Sequence, residues 1–271
     1  IPLPPLETQE NIAHILSVLD SKIELNNRIN KALEKLSKLL YTRYFVEFNF
    51  PNAEGKPYKQ SGGEMIYNPT LKQEIPKGWE VSNMGKSSLA WSIQTKIDKF
   101  IGEKTYLPTS AIQDDTIVDF SNKITFEKRE SRANMQPIKD SVWFAKMKDT
   151  RKYLYFGEYS ESVQTFILST GMYGLACKKN ALEYMWNIIS SNKFDTIKNA
   201  FANGSTQQAI NDEAPSWIPL LIPNESVLND FHTKTYKIYK QKYFNERESQ
   251  KLSALRDYLL PLLFNNQVEV C

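Results

Sequence analysis

Two sets of side chains in this sequence are of types that could carry out chemistry. Four carboxylates stand close enough in sequence to be considered as ligands of a divalent metal: Asp114, Asp115, Asp119 and Glu127. Acidic residues beside strand turns are usually solvated, however, and a hard cation needs several converging oxygen ligands. Gly85-Lys86-Ser87 has the end of a phosphate-binding loop but lacks its first glycine, because Glu80 stands five positions before Gly85. We therefore predict no catalytic residue and no bound metal.

The region 121–152 has a composition suited to binding a polyanion. It contains nine basic and four acidic side chains, a local net charge of +5. Arg129 and Arg132 stand either side of Ser131 in a predicted loop, from which an arginine could hold a phosphate or bind a guanine edge through two hydrogen bonds. Charge alone fits a solvated surface equally well. The candidate contacts to nucleic acid in this region are Lys128, Arg129, Arg132, Lys146 and Lys148.

Two polar turns are further candidates for such contacts. The first holds Asn203, Ser205, Thr206 and Gln207 around a glycine, where a glutamine side chain could pair with adenine and backbone N–H groups could face a phosphate. The second is Thr109-Ser110, which precedes Ala111-Ile112. As bare polar turns, neither is specific.

The composition narrows the class of protein. The chain has 271 residues, 41% of them hydrophobic, and a formal net charge of only +3. Its two cysteines cannot build a disulfide framework, which favours a reducing compartment, and no segment reaches the roughly 20 apolar residues of a membrane span. We predict a cytoplasmic protein without membrane association. His14 and His232 lack partners at metal-ligand spacing and are assigned plain surface roles.

A long amphipathic segment begins the chain and another ends it. In residues 8–47, apolar side chains recur at steps of three and four, the period of a coiled-coil seam. Asn26 occupies one of those positions, where a polar residue fixes register. The first seam is predicted from Ile12, Ile15, Leu16, Leu19, Ile23, Asn26, Ile29, Leu33, Leu36 and Leu40, and the second from Leu228, Phe231, Ile238, Leu252, Leu255, Leu259 and Leu263. An ordinary surface-packed helix is the alternative.

The second seam has a polar centre at Lys242, Asn245 and Ser249. An antiparallel pairing would set this centre beside Asn26 and Asn30, which is a physical reason to prefer that direction. Pro261 should bend or end the second helix.

Between these helices, the sequence predicts a mixed domain. Residues 51–75 read as an irregular connection, and one helix is predicted over 181–191. Strands are predicted over 116–120, 124–127, 141–147, 153–156 and 166–168. The fold class is therefore α+β: one globular α/β domain (49–222) on two long helices (1–48 and 223–271) that form an antiparallel coiled coil.

The sequence resembles the specificity subunits of type I restriction-modification systems. Residues 1–19 and 22–30 look like the family's central spacer helix, and residues 44–48 look like the exit from it. Residues 255–263 and 267–270 look like its distal helix and tail. Residues 74–80 resemble the opening of a target recognition domain. Shorter matches lie at 131–133 and 203–207, whereas Thr109-Ser110-Ala111-Ile112 departs from the commoner Thr-Gly-Asp-Ile.

The resemblance implies a non-catalytic subunit that recognises a bipartite double-stranded DNA target and directs methyltransferase subunits and a restriction motor nuclease to it. This chain would bind no cofactor, while its partners would use S-adenosylmethionine, ATP and Mg²⁺. Its order of helix, head and helix corresponds to a C-terminal half, either a fragment or a short subunit that forms a homodimer. One alternative is a coiled-coil assembly module whose head binds protein, and another is a head that is itself an enzyme.

Overall fold

The computed structural model describes residues 5–93, 97–204 and 208–265, and the chain divides into two compact units. One unit joins Ile1–Leu39 to Tyr236–Cys271, and the other is Leu40–Thr235. We call them the helix pair and the head. The head includes segments 40–48 and 223–235, because aromatic rings there pack together: Phe45 lies 4.9 Å from Phe231 and 4.6 Å from Tyr184.

A long helix lies on each side of a run of short strands and two short helices. Its helices are α1 (Leu6–Tyr41), α2 (Leu182–Ile189), α3 (Asn192–Phe201) and α4 (Glu225–Phe264), and α1 continues into a π-helical turn at Thr42–Val46. The strands are β1 (Met65–Asn68), β2 (Gln73–Pro76), β3 (Glu80–Asn83), β4 (Ala90–Ser92), β5 (Lys104–Leu107), β6 (Ile112–Gln113), β7 (Thr116–Ile117), β8 (Lys123–Ile124), β9 (Ala133–Met135), β10 (Ser141–Ala145), β11 (Tyr153–Phe156), β12 (Phe166–Ser169), β13 (Met172–Cys177) and β14 (Pro219–Ile222).

Most residues of the predicted α1 seam are buried or half-buried. Ile12 and Asn26 are buried, and the other seam residues that are at least half-buried are Ile15, Leu16, Leu19, Ile23, Leu33 and Leu40. Ile29 and Leu36 were expected in the seam but are 37% and 47% exposed. The heptad positions beside them belong instead to Asn30 and Ser37, which are buried. The heptad spacing thus determines which residues are buried in the seam, even where a polar side chain is buried and its apolar neighbour is exposed.

The antiparallel direction of the helix pair is confirmed by its hydrogen bonds. Asn245 Nδ2 donates to Asn30 Oδ1 at 2.8 Å, and Ser37 Oγ lies 2.7 Å from the Tyr239 hydroxyl. Asn26 Nδ2 donates to Glu248 Oε2 at 2.8 Å and to Ser249 Oγ at 3.3 Å. Partner numbers in α4 fall as those in α1 rise, so the polar centres of the two helices meet as expected.

The far end of α4 differs from expectation at two residues. Leu255 is 44% exposed, because the heptad position belongs to Arg256, whose Nη1 lies 2.8 Å from Asp20 Oδ1. Pro261 does not end the helix, which continues to Phe264. Leu259 is half-buried and Leu263 buried, as predicted.

The head is built on two four-stranded sheets. One has the order β11-β10-β13-β4 and is antiparallel, and the other has the order β8-β5-β12-β9, with β5 and β12 parallel. Trp143 of β10 is fully buried and lies opposite Gly174 of β13. A Cβ at position 174 would lie 2.5 Å from Trp143 Cη2, so only glycine fits there. The indole therefore packs directly on the backbone of β13.

Several sequence expectations for the head need correction. Residues 51–75 are not wholly irregular, since β1 pairs with β2 across a turn in which Asn68 Oδ1 accepts N–H bonds from Thr70 and Leu71. The strand predicted over 153–156 is confirmed, the one over 166–168 extends by one residue, and the other three are shorter than predicted. The helix over 181–191 is confirmed as α2, while β13 and α3 were not predicted. Within the described ranges, no helix is long and apolar enough to cross a membrane.

Candidate nucleic-acid interface

The turn between β12 and β13 gathers three of the predicted site residues from distant parts of the chain. Thr170 N donates to the carbonyl oxygen of Arg132 at 2.9 Å, and Lys146 N donates to that of Gly171 at 2.9 Å. A Cβ at position 171 would lie 3.3 Å from Thr109 Cγ2. The backbone of one tight turn thus holds Thr109, Arg132 and Lys146 together.

The polar loop at 203–208 attaches to the same region through Lys146 and Lys148, which follow β10. Lys148 N donates to the carbonyl oxygen of Gln208 at 2.8 Å, and Ile210 N donates to that of Lys146 at 3.0 Å. Asn203 and Ala209 close the base of the loop through two backbone hydrogen bonds of 3.0 and 3.1 Å. Asn203 and Lys148 therefore adjoin Lys146. The other three predicted residues of this loop, Ser205, Thr206 and Gln207, lie outside the described residues.

A lysine that the sequence analysis did not select positions the Thr109-Ser110 turn. Thr109–Ala111 forms a single 3-10 turn, and Lys152 Nζ donates to the carbonyl oxygen of Thr109 at 2.6 Å. Ser110 is exposed. Only the charge of Lys152 was visible in the sequence, because its contact is made across 43 positions of the chain.

The cations of this surface differ in how far they are already neutralised. Lys146 Nζ lies 2.6 Å from Asp212 Oδ1, and its side chain is only 15% exposed. Lys148 Nζ donates to the Gln208 side chain at 2.7 Å. Arg132 is exposed, and among the described residues its guanidinium makes no hydrogen bond or ion pair. Arg132 is therefore the cation best prepared to meet a phosphate or a base.

The guanidinium of Arg129 makes local contacts instead, whereas Lys128 contacts its neighbour through its main-chain N and has an exposed side chain. The Arg129 guanidinium lies 4.1 Å from the centre of the Phe126 ring, and its Nη1 donates to the Phe126 carbonyl oxygen. Lys128 N donates to Thr125 Oγ1 at 3.2 Å. The structure brings neither residue into hydrogen-bond contact with the β12–β13 turn among the residues it describes. Two arginines that look equivalent in sequence therefore have different surroundings.

A histidine–glutamate pair in the head corrects the role assigned to His232. Its Nδ1 lies 2.7 Å from Glu183 Oε2, and the Glu183 side chain is fully buried. Tyr155 also donates to Glu183, at 3.1 Å. The hydrogen bond to Glu183 raises the pKa of His232 above its ordinary value. His232 is thus a structural residue that ties α4 to α2, whereas His14 is exposed as predicted.

Known proteins resemble this chain in sequence and in fold. A family profile described as "Type I restriction modification DNA specificity domain" matches residues 1–35. The type I restriction enzyme MjaIX specificity subunit of Methanocaldococcus jannaschii is 24% identical over 303 residues, which cover 100% of this chain and 61% of the relative. The HindI specificity subunit of Haemophilus influenzae is 21% identical over 322 residues, covering 98% and 68%.

A solved structure shows the same fold. The S subunit of a type I restriction-modification system from M. genitalium superposes with a TM-score of 0.56 at 14% identity, covering 96% of this chain and 61% of that one. The fold of this chain is thus one found in an S subunit. In sequence the chain is similar to specificity subunits of type I restriction enzymes, and it spans about three fifths of the MjaIX subunit's length (61%). None of these relatives favours the protein-binding alternative.

Proposed function

We propose that this chain is a DNA-recognition part of a type I restriction specificity subunit and has no catalytic activity of its own. The observation that carries the proposal is the similarity to two specificity subunits along 100% and 98% of the chain. The head would bind double-stranded DNA and read its sequence. Methylation and cleavage, with their requirements for S-adenosylmethionine, ATP and Mg²⁺, would belong to the methyltransferase and restriction subunits.

The DNA-binding surface in this proposal is the one around the β12–β13 turn. Thr109, Ser110, Arg132, Lys146, Lys148 and Asn203 would contact the duplex, together with the loop residues Ser205, Thr206 and Gln207. Phosphate contacts set orientation without reading sequence, and base-edge contacts supply specificity. The guanidinium of Arg132 suits either role, while Lys146, neutralised by Asp212, suits a phosphate that displaces the carboxylate.

The helix pair in this proposal is a spacer that also binds partner helices. Besides its seam, α1 carries a second stripe of exposed apolar side chains, each one residue before a seam position: Val18, Leu25, Ile29, Leu36 and Leu39. On α4 the corresponding positions hold Phe244, Leu255 and Tyr258. Because the helices are antiparallel, both stripes lie on one side of the pair. Such a continuous apolar face supports docking of methyltransferase helices, and a second copy of the chain would supply the second head.

A DNA-binding experiment tests the proposal. The target would be found by selecting tight binders from a random duplex pool, and Kd would then be measured against salt. Duplex binding should weaken linearly in log K against log salt. Arg132→Ala should cost about 1 to 3 kcal/mol on the selected site if the residue reads a base, and an equal loss on every sequence would mark a phosphate contact.

Arg129→Ala is the matched control, because its guanidinium is already held over Phe126. It should change Kd much less than Arg132→Ala. A chain that binds no duplex at low salt, or one that methylates or cuts DNA by itself, would contradict the proposal.

A further inference from the structure

The head contains a cavity of about 530 Å³ beside the candidate nucleic-acid interface. Two tryptophans line it, Trp91 and Trp217, and these are 52% and 51% exposed. The other tryptophans, Trp79, Trp143 and Trp186, are at most 5% exposed. Exposing two large aromatic rings loses the free energy that their burial would contribute, so their position at one cavity calls for a ligand that they can stack on.

Polar groups also line the cavity. The hydroxyls of Ser92 and Tyr173 are hydrogen-bonded to each other, and the side chains of Asp212 and Glu213 supply carboxylates. A site with aromatic faces, hydroxyls and carboxylates can stack on a flat ring and accept hydrogen bonds from an amino group on its edge. The volume lies within the range of about 300 to 1,000 Å³ that is usual for small-molecule sites.

The cavity is linked to the interface by short connections. Asp212, which lines the cavity, is the ion-pair partner of Lys146. Tyr173 follows Gly171 by two residues in β13, and Met135, another lining residue, follows Arg132 by three. A nucleotide whose phosphate approached Lys146 would therefore have its base near the mouth of the cavity.

We propose that this cavity receives a single nucleobase turned out of the DNA stack, with a preference for one that carries an exocyclic amino group, as cytosine, adenine and guanine do and thymine does not. The base stacks on Trp91 or Trp217, and its amino group donates to a carboxylate of Asp212 or Glu213. This inference rests on the proposed function, because the duplex delivers the base. It adds a way of sensing sequence through the free energy of unpairing a base, which is lowest where pairing is already weak.

A bulged duplex tests the inference without knowledge of the target sequence. The probe is a fluorescein-labelled duplex of about 25 base pairs with one unpaired cytosine, compared by anisotropy with the same duplex carrying an unpaired abasic residue. Base–aromatic stacking predicts that the cytosine bulge binds about 5- to 100-fold more tightly. The unaltered chain suffices for this comparison.

Variants then locate the effect. Trp91→Ala and Trp217→Ala should each bring the ratio of the two Kd values toward one, and Trp217→Phe should retain part of it. Tyr67→Ala is the matched control, because Tyr67 is 66% exposed and does not line the cavity, so the ratio should stay unchanged. Far-ultraviolet circular dichroism checks that each variant is folded. Replacing the bulged cytosine by thymine should weaken binding several-fold, and Glu213→Gln should reduce that difference.

Each outcome has one meaning. Equal affinity for the cytosine and abasic bulges, with duplex binding intact, overturns the cavity inference and leaves the proposed function standing. Binding of no duplex at all overturns both. Quenching of tryptophan fluorescence by choline, without discrimination between the bulges, would show that the cavity is a site for cationic amines and would also overturn the inference.

Discussion

The helix pair and the head are built on opposite kinds of interior. At the centre of the helix pair, asparagine, serine and tyrosine side chains meet across the seam, as in Asn30–Asn245 and Ser37–Tyr239. The interior of the head is formed by aliphatic and aromatic side chains, and Trp143, Tyr106 and Phe144 are at most 2% exposed. Burial stabilises without specifying direction, whereas a buried hydrogen bond is satisfied in one register only. The polar contacts of the pair thus fix how its two helices align, whereas the apolar interior of the head mainly supplies stability.

The largest effect expected from this comparison follows Trp143→Ala in the head. Removing a fully buried indole should lower the free energy of unfolding by about 3 to 5 kcal/mol, because its burial is lost and a cavity remains against β13. Guanidinium unfolding followed by circular dichroism measures the change. Tyr67→Ala, at a surface position, is the control and should change stability by less than about 0.5 kcal/mol. Similar losses of stability in both variants would contradict the view that the buried aromatic interior stabilises the head.

A smaller effect should follow Asn245→Ala in the helix pair. The Asn30 amide oxygen would lose its donor, and an unsatisfied buried polar group costs about 1 to 3 kcal/mol. In the double variant Asn30→Leu with Asn245→Leu, the free energy of unfolding should equal or exceed that of the parent chain, since apolar residues pack well in a seam.

The double variant should nevertheless loosen the register. Spin labels at positions 20 and 256, with Cys271 replaced by serine, would report a broader distribution of distances than in the parent chain. If the distribution stayed as narrow as before, the asparagines would not be what aligns the helices.

The smallest effect concerns the His232–Glu183 pair, one of the polar contacts inside the head. The hydrogen bond to Glu183 raises the pKa of His232, so the charged pair stabilises fully below the ordinary histidine pKa of about 6.5. Its contribution is lost as the pH rises through the folded-state pKa. His232→Gln should therefore destabilise the chain by about 1 kcal/mol at pH 5.5 and by less at pH 8.5.

Unfolding curves measured at both pH values provide the test, with His14→Gln as an exposed control that should change neither. If His232→Gln lowered the free energy of unfolding equally at both pH values, His232 would stabilise the fold by its shape and not by its charge.

The sequence predicts the helices better than the head for a physical reason. A heptad repeats along one local segment, so both seams and their antiparallel direction could be predicted from spacing and from the matching polar centres. The errors at Ile29, Leu36 and Leu255 come from following hydrophobicity where the spacing selects Asn30, Ser37 and Arg256. Strand β13 was missed because all of its residues are buried, which removes the alternation that marks a strand.

The candidate interface could be predicted by residue type but not by arrangement. Charge identified Arg132 and Arg129 equally, and only the structure shows that Phe126 occupies the guanidinium of Arg129. The grouping of Thr109, Arg132 and Lys146 depends on where the sheets place the β12–β13 turn. Because contacts of that kind depend on the topology of the sheets, no local sequence pattern predicts them.

The hydrogen-bonded base of the 203–208 loop affects how well substitutions within the loop are tolerated. Asn203 and Ala209 are hydrogen-bonded to each other through main-chain atoms, and Gln208 is bonded to Lys148 through its main-chain carbonyl as well as its side chain. Main-chain attachment is indifferent to which side chains stand between the two ends. Substitutions at positions between the two ends should therefore leave these main-chain attachments, and with them the fold of the sheet, intact.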